Sequence, residues 1–467
     1  MKRILTLLLI FILPLTILTA QSDDDLFGGD DDFFGDDAIE EVADVAAKSD
    51  LSKGVIFDSG SVKVGGSLSA GLTTNTILYS PDEDDFGENV KNTTLTPDLS
   101  AMLTVDARPT ENLRMYTKFG FEYPFTDTAA TYLTGMDPKT QQPIFSTSVD
   151  NWFKLKELFT DFSVKDTAYF RFGIHTVTWG AGYFFSPVSD MINSTSIDPE
   201  NPEKQVDGSL NLRTQIIIPN SQNCLWFYVI PSTNFQNQTA ETYARETALA
   251  GKADILIGNW ELGLGGLYKY ESAPKAMLTA SGSLRKVSFF GEFVYSYGAA
   301  SEWLKNTDWD DKTSIFQATA GLSYYWKDQK LNLAAQYYFE GNDKDIAKKI
   351  STYGHNVALM VNKSELFKNQ DLSLSLFAMA NFGSKDATAE DVLEMYPQAG
   401  KMSPEEIDAA AKNASTMMPD LTANLMLHYA PINEVSFAAG PVLTFKDFET
   451  APTTSLKVTA TLGGGKF

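Results

Sequence analysis

One cysteine and three histidines are all that this chain of 467 residues offers in the way of soft or switchable ligands. Cys224 has no second thiol to pair with, and its apolar, strand-like surroundings give it the reading of a small packed residue. His175, His355 and His428 fall on separate alternating segments, with His355 on the outward parity. They form no cluster with metal-ligand spacing, and no cofactor is expected. GxSxG, HExxH and phosphate-cradling glycine loops are also missing, so the chain does not read as an enzyme. Positive charge is short: 37 Lys and Arg face 60 Asp and Glu, a formal net charge of -23 that argues against nucleic acid as a partner. After residue 20 no apolar run reaches the roughly 18 residues that a spanning helix needs, which excludes a helical membrane protein.

What is present begins with Lys2-Arg3, the apolar run from Ile4 and the small-residue site Leu18-Thr19-Ala20. Residues 1–20 read as a secretory leader, and with no cysteine at the cleavage site a lipid anchor is not expected. Residues 21–54 read as an acidic, unstructured periplasmic tail, since so dense a run of like charge cannot collapse on itself. Within residues 23–50 an acidic triplet followed by two apolar residues and Gly occurs twice. Leu26-Phe27 and Phe33-Phe34 are therefore candidates for docking on a basic-rimmed periplasmic partner.

From residue 55 onward the texture changes to long alternation. Val62, Val64, Gly66, Leu68, Ala70 and Leu72 share one face of the first segment, with Lys63, Gly65, Ser67 and Ser69 on the other. The same pattern runs through Leu113–Tyr123, Ala168–His175, Val287–Tyr297, Phe316–Trp326, Leu331–Phe339, Leu372–Phe382, Leu421–Tyr429 and Val435–Phe445. Many of these exceed the common soluble strand and match a tilted bilayer-spanning one. Aromatic content is high, with 31 Phe and 19 Tyr, as interface girdles require.

Connections alternate between short, such as Gly258-Asn259 and Arg285-Lys286, and long, such as 126–151, 180–207 and 384–417. Loops sorted by length onto two rims, with the N-terminus on the short-turn side, predict an all-β transmembrane antiparallel barrel in an outer membrane. It would have short periplasmic turns and long extracellular loops. The count is about 18 strands, or 16 if the brief segment Cys224 to Ile230 is not one of them. The last strand ends at Phe467, a terminal aromatic similar to the signal read by the barrel-assembly machinery. Phe467 has the opposite parity to Leu456, Val458, Ala460 and Leu462, and a bulge within Gly463-Gly464-Gly465 would restore the phase.

On the inward parity lie Arg114, Lys118, Glu122, Glu157 and Asp161, read as lumen charges that set a transverse field rather than as an acid–base pair. The stretch after Trp179 is too aromatic for a solvated loop, and it gains by folding against the lumen wall. The run RFGIHTVTWGAGYFFSPVSDMINSTSID resembles the signature of phosphate-selective-porin-like and alginate-export-like outer-membrane channels. That signature is a strand, Gly, a basic or amide residue, Trp-Gly, an aromatic, Asp-x-x-Asn and a further Asp. The resemblance implies that Trp179, Gly180, Tyr183, Asp190, Asn193 and Asp198 shape an inward-folded constriction, with Arg171, His175 and Arg213 on nearby lumen walls. Asn193-Ser194 stands where relatives often carry Asn-Pro, and the arginine ladder of an anion-selective bore is missing. The expected function is passive diffusion of small hydrophilic solutes. The alternatives are a plugged barrel acting as adhesin or antigen, suggested by inward Phe290, Phe377 and Met379, and a transporter of hydrophobic substrates. A transporter calls for a strand break facing the bore, and Pro97 and Pro441 are its only candidates.

Overall fold

A computed structural model describes residues 57–466, apart from 59, 84, 124–129, 137–142, 149–151, 166, 203, 233–238, 305–307, 385, 387, 392–402, 406, 409–410, 412–418 and 433. The leader, the acidic tail and Phe467 lie outside the described residues. The first nine barrel strands are β1 (Val62–Tyr79), β2 (Thr94–Thr110), β3 (Leu113–Glu122), β4 (Phe153–Val164), β5 (Ala168–His175), β6 (Ser209–Ile217), β7 (Cys224–Ile230), β8 (Ala248–Ile257) and β9 (Trp260–Tyr268). The second nine are β10 (Lys275–Leu284), β11 (Val287–Tyr297), β12 (Ser314–Trp326), β13 (Leu331–Glu340), β14 (Gly354–Lys363), β15 (Leu372–Phe382), β16 (Leu421–Ile432), β17 (Val435–Phe445) and β18 (Thr453–Lys466). The sheet holds 19 paired strands. One of them, the two-residue Phe57–Asp58, folds back antiparallel on Lys63 and Val64 at the start of β1, which leaves 18 in the wall. The short β7 pairs along its length with both β6 and β8, and this decides the count in favour of 18.

Every neighbour is antiparallel and next in sequence, and β1 pairs with β18 to close the cylinder. Closure leaves no free edge, which lets strands cross hydrocarbon with all their backbone groups paired. The β1–β18 seam slips by one residue between Ser69↔Gly463 and Ser67↔Lys466. Gly463 takes φ +94° there, a conformation that glycine adopts at little cost. The phase break in the last strand is therefore a real bulge.

Alternation sorts the two faces. Leu68, Leu249, Leu264, Leu278 and Leu425 stand on the outside and are exposed, in a belt far larger than a soluble monomer tolerates. Tyr79, Trp152 and Tyr268 sit toward one rim, and Trp260, Trp326 and Tyr429 toward the other, all exposed, as interfacial girdles. Pro97 and Pro441 also lie on the outer face, and pairing runs on through both, to Leu72 and Leu456. Neither breaks a strand toward the bore.

Short connections gather on one rim and long ones on the other. Asp85 caps the helix Phe86–Lys91 by accepting from the N–H groups of Gly87 and Glu88. A two-stranded hairpin, Ala130–Met136 with Pro143–Ser148, decorates the connection between β3 and β4. The connection between β5 and β6, residues 176–208, does something different: its Trp179, Phe184, Val188 and Ile192 are among the most buried side chains of the described residues. The protein's apolar core therefore lies within the cylinder.

Candidate constriction site

Residues 176–208 leave β5 and enter the lumen. Asn193 ties off the base of this insert, since its Oδ1 accepts from the Val177 N–H at 2.8 Å and its Nδ2 donates to the Val177 carbonyl at 2.8 Å. Ser189 Oγ accepts from the N–H groups of Trp179 and Gly180. The Trp179 ring packs edge-on against Tyr228 of β7 at 5.0 Å. Around it Val177, Val188, Ile192, Ala250, Met277 and Val294 form one buried cluster that joins the insert to β7, β8, β10 and β11. Lys252 of β8 donates to the Trp179 carbonyl at 2.7 Å while paired with Asp254 at 2.9 Å.

Two polar side chains on the far wall then catch the tip. The carboxyl group of Glu292 on β11 accepts from the N–H of Gly182 at 2.8 Å and of Val188 at 3.1 Å, and it meets the Ser186 hydroxyl at 3.0 Å. Gln336 on β13 accepts from the Phe184 N–H at 2.7 Å and the Tyr183 N–H at 3.1 Å. Its amide nitrogen donates to the Phe185 carbonyl and to Thr319 Oγ1, each at 2.6 Å. Phe185 stacks on Tyr338 at 5.1 Å, and Phe184 meets Phe377 of β15 at 6.0 Å. The glycines of Trp179-Gly180-Ala181-Gly182 follow from this approach, because a Cβ at Gly180 would run into the Glu292 carboxyl group and one at Gly182 into the Phe185 carbonyl.

Trp179, Gly180, Tyr183 and Asn193 are thus all parts of one crossing. Asp190 sits on the short 3₁₀ turn Ser189–Met191. Burial pushes its carboxyl up to about 6, against a hydrogen bond from Ser196 and the fields of Lys348 and Lys275. Asp198 is exposed; it organises a local turn by accepting from the N–H groups of Glu200 and Asn201, and it takes no part in the crossing.

The charges stand behind the insert. Asp161 of β4 receives Arg171 of β5 in a bidentate pair, 2.6 and 2.9 Å, and lies 3.9 Å from Arg114. Arg114 also pairs with Asp106 at 3.1 Å. The Arg171 guanidinium lies 3.9 Å over the Phe159 ring, and Phe159 meets the fully buried His175 edge-on at 5.9 Å. Glu157 is the register partner of Lys118, and Glu122 lies 3.5 Å from Lys154 near the long-loop rim. Arg213 on β6 is buried, with its guanidinium 5.5 Å over Trp226. Lys156 reaches Asp207 at 3.0 Å and so ties the end of the insert to β4.

Sequence reasoning placed the insert but missed its receivers. Glu292 and Gln336 share their inward faces with other polar residues, Ser288 and Ser296 on β11 and Asn332 and Glu340 on β13, so nothing in the local sequence singled them out.

No known protein family and no curated protein matches the sequence. Among solved structures, the chain is similar to OccK9 (OpdG) of Pseudomonas aeruginosa, with 8% identity, 86% of this chain and 98% of that chain covered, and a TM-score of 0.47. OccK11 (OpdR) of the same organism gives 8% identity, 88% and 97% coverage, and a TM-score of 0.45. A triple mutant of the Rhodopseudomonas blastica porin gives 10% identity, 86% and 99% coverage, and a TM-score of 0.40.

Proposed function

We propose that the protein is an outer-membrane channel for passive diffusion of small hydrophilic solutes, with the insert after Trp179 as its constriction. One observation carries this reading: the insert fills only part of the lumen. Many inward residues of β5 to β14 are buried, among them Arg171, Asn211, Lys252, Glu292, Gln336 and Asn356. On β2 the inward Thr96, Asp98 and Met102 are exposed, which supports a water-filled passage beside the insert. Constriction by an inward loop needs an opposite wall that stays clear, and β1 and β2, which have no buried inward residue, supply one. The passage is polar, which favours this reading over carriage of hydrophobic cargo.

The same reading assigns the C-terminal strand to recognition by the barrel-assembly machinery and residues 21–54 to the periplasm. Conductance in planar bilayers tests it. Refolded protein should give stable unitary steps in potassium chloride, and protein that inserts but never conducts would refute the channel.

A further inference from the structure

The passage beside the insert has an unusual lining. Across β18, β1 and β2 the inward positions stack in rows: Thr459 opposite Thr73 opposite Thr96, then Thr461 opposite Gly71 opposite Asp98, then Ser69 opposite Ser100. Thr73 Oγ1 and Thr459 Oγ1 lie 3.1 Å apart. Adjacent strands are spaced about 4.8 Å and successive inward residues about 7 Å, so this is a raft of hydroxyl groups three strands wide. It carries the acid Asp98 and, two rows from it, the base Lys457 opposite Asn75, and it is flanked by Glu122 opposite Ser100. Among the other wall charges, Arg171 is held with Asp161, Lys156 with Asp207, Lys252 with Asp254 and Lys154 with Glu122, and Glu292 is taken up by the insert.

A solute squeezed between the insert and this raft exchanges hydration water for wall groups. Each hydroxyl both donates and accepts, so it replaces water well for another hydroxyl. A raft whose few charges are of both signs offers little net field to repay an ion for its lost hydration. Resting on the channel reading above, we propose that the solutes this passage favours are neutral polyhydroxylated molecules, small saccharides and polyols, and that the Thr73–Thr459–Thr96 row is where they are selected.

The test uses the full mature chain in liposomes and three six-carbon probes: sorbitol, gluconate and glucosamine, the two ions with freely permeant counter-ions. Entry is followed by light scattering. Sorbitol is expected to enter several-fold faster than either ion, and the near-isosteric double variant Thr73→Val with Thr459→Val to slow sorbitol several-fold more than it slows gluconate or glucosamine. Gluconate or glucosamine entering as fast as sorbitol overturns the proposal, and so does a double variant with an unaltered sorbitol rate. Those outcomes leave the channel standing, whereas a wild type with no conductance and no entry of any probe removes both.

Discussion

Glu292 is the residue on which the docked state of the insert should turn. Its carboxyl group receives the N–H groups of Gly182 and Val188, both on the insert. Replacing it with Ala removes the acceptor of both N–H groups, at about 1–3 kcal/mol for each donor stranded. The sum, about 2–6 kcal/mol, changes the docked-to-undocked ratio by a factor of roughly 30 to 10⁴ at 1.4 kcal/mol per decade. Replacing it with Gln keeps one acceptor and turns an amide donor toward the other N–H, so the expected loss is about half as large. Wall strands keep their ladder in both variants, and heat-modifiable mobility checks that the barrel still forms. Single-channel recording should then show a larger conductance state whose occupancy rises from wild type to Glu292→Gln to Glu292→Ala. Traces from Glu292→Ala that match wild type in step size and noise would refute the idea that this contact holds the constriction.

Gln336→Ala removes the second receiver of the same backbone segment, and combined with Glu292→Gln it should open the bore by more than the sum of the single effects, measured as a double-mutant cycle on substate occupancy. Trp179→Ala excavates the joint between the insert and β7, at a cost of about 3–5 kcal/mol to docking, and limited proteolysis between residues 180 and 207 should accelerate. Gly180→Ala should resemble Glu292→Ala in conductance, because a methyl group there displaces the Glu292 carboxyl group. Asp190 gives a pH signature: its carboxyl is raised from 3.8 to about 6 in the docked insert, so docking is strongest below about pH 4. About 2–3 kcal/mol is lost as pH climbs through 6, and Asp190→Asn should flatten the dependence of substate occupancy on pH from 4 to 7.

How much of this was legible beforehand depended on the range of the interaction. Val287–Tyr297 and Leu372–Phe382 match their alternating runs end to end, because outward Phe289 or Leu374 and inward Glu292 or Ser375 obey a two-residue period set by neighbours alone. The sorting of loops by length followed from the same local signals. Cys224 to Ile230 stayed ambiguous because seven residues are few for a period, and pairing with both neighbours decided it. The insert announced itself through Trp179, Tyr183, Phe184 and Phe185, too apolar for open solvent. Its destination was invisible, since Gln336 lies more than 150 residues further on and only closure of the wall brings it opposite Phe184. Asp198 shows the converse: its place in a motif suggested a role in the crossing, while two neighbouring N–H groups claim it for a turn.

The eccentric filling of the lumen bears on how such a molecule is completed. The joint between the first and last strands lies in the empty half, beside Thr73 and Thr459, and the glycine bulge sits on it. The heavy half, from β5 to β15, can therefore seat its plug while the two ends are still apart, and the last zipper to close has nothing to thread and nothing to displace.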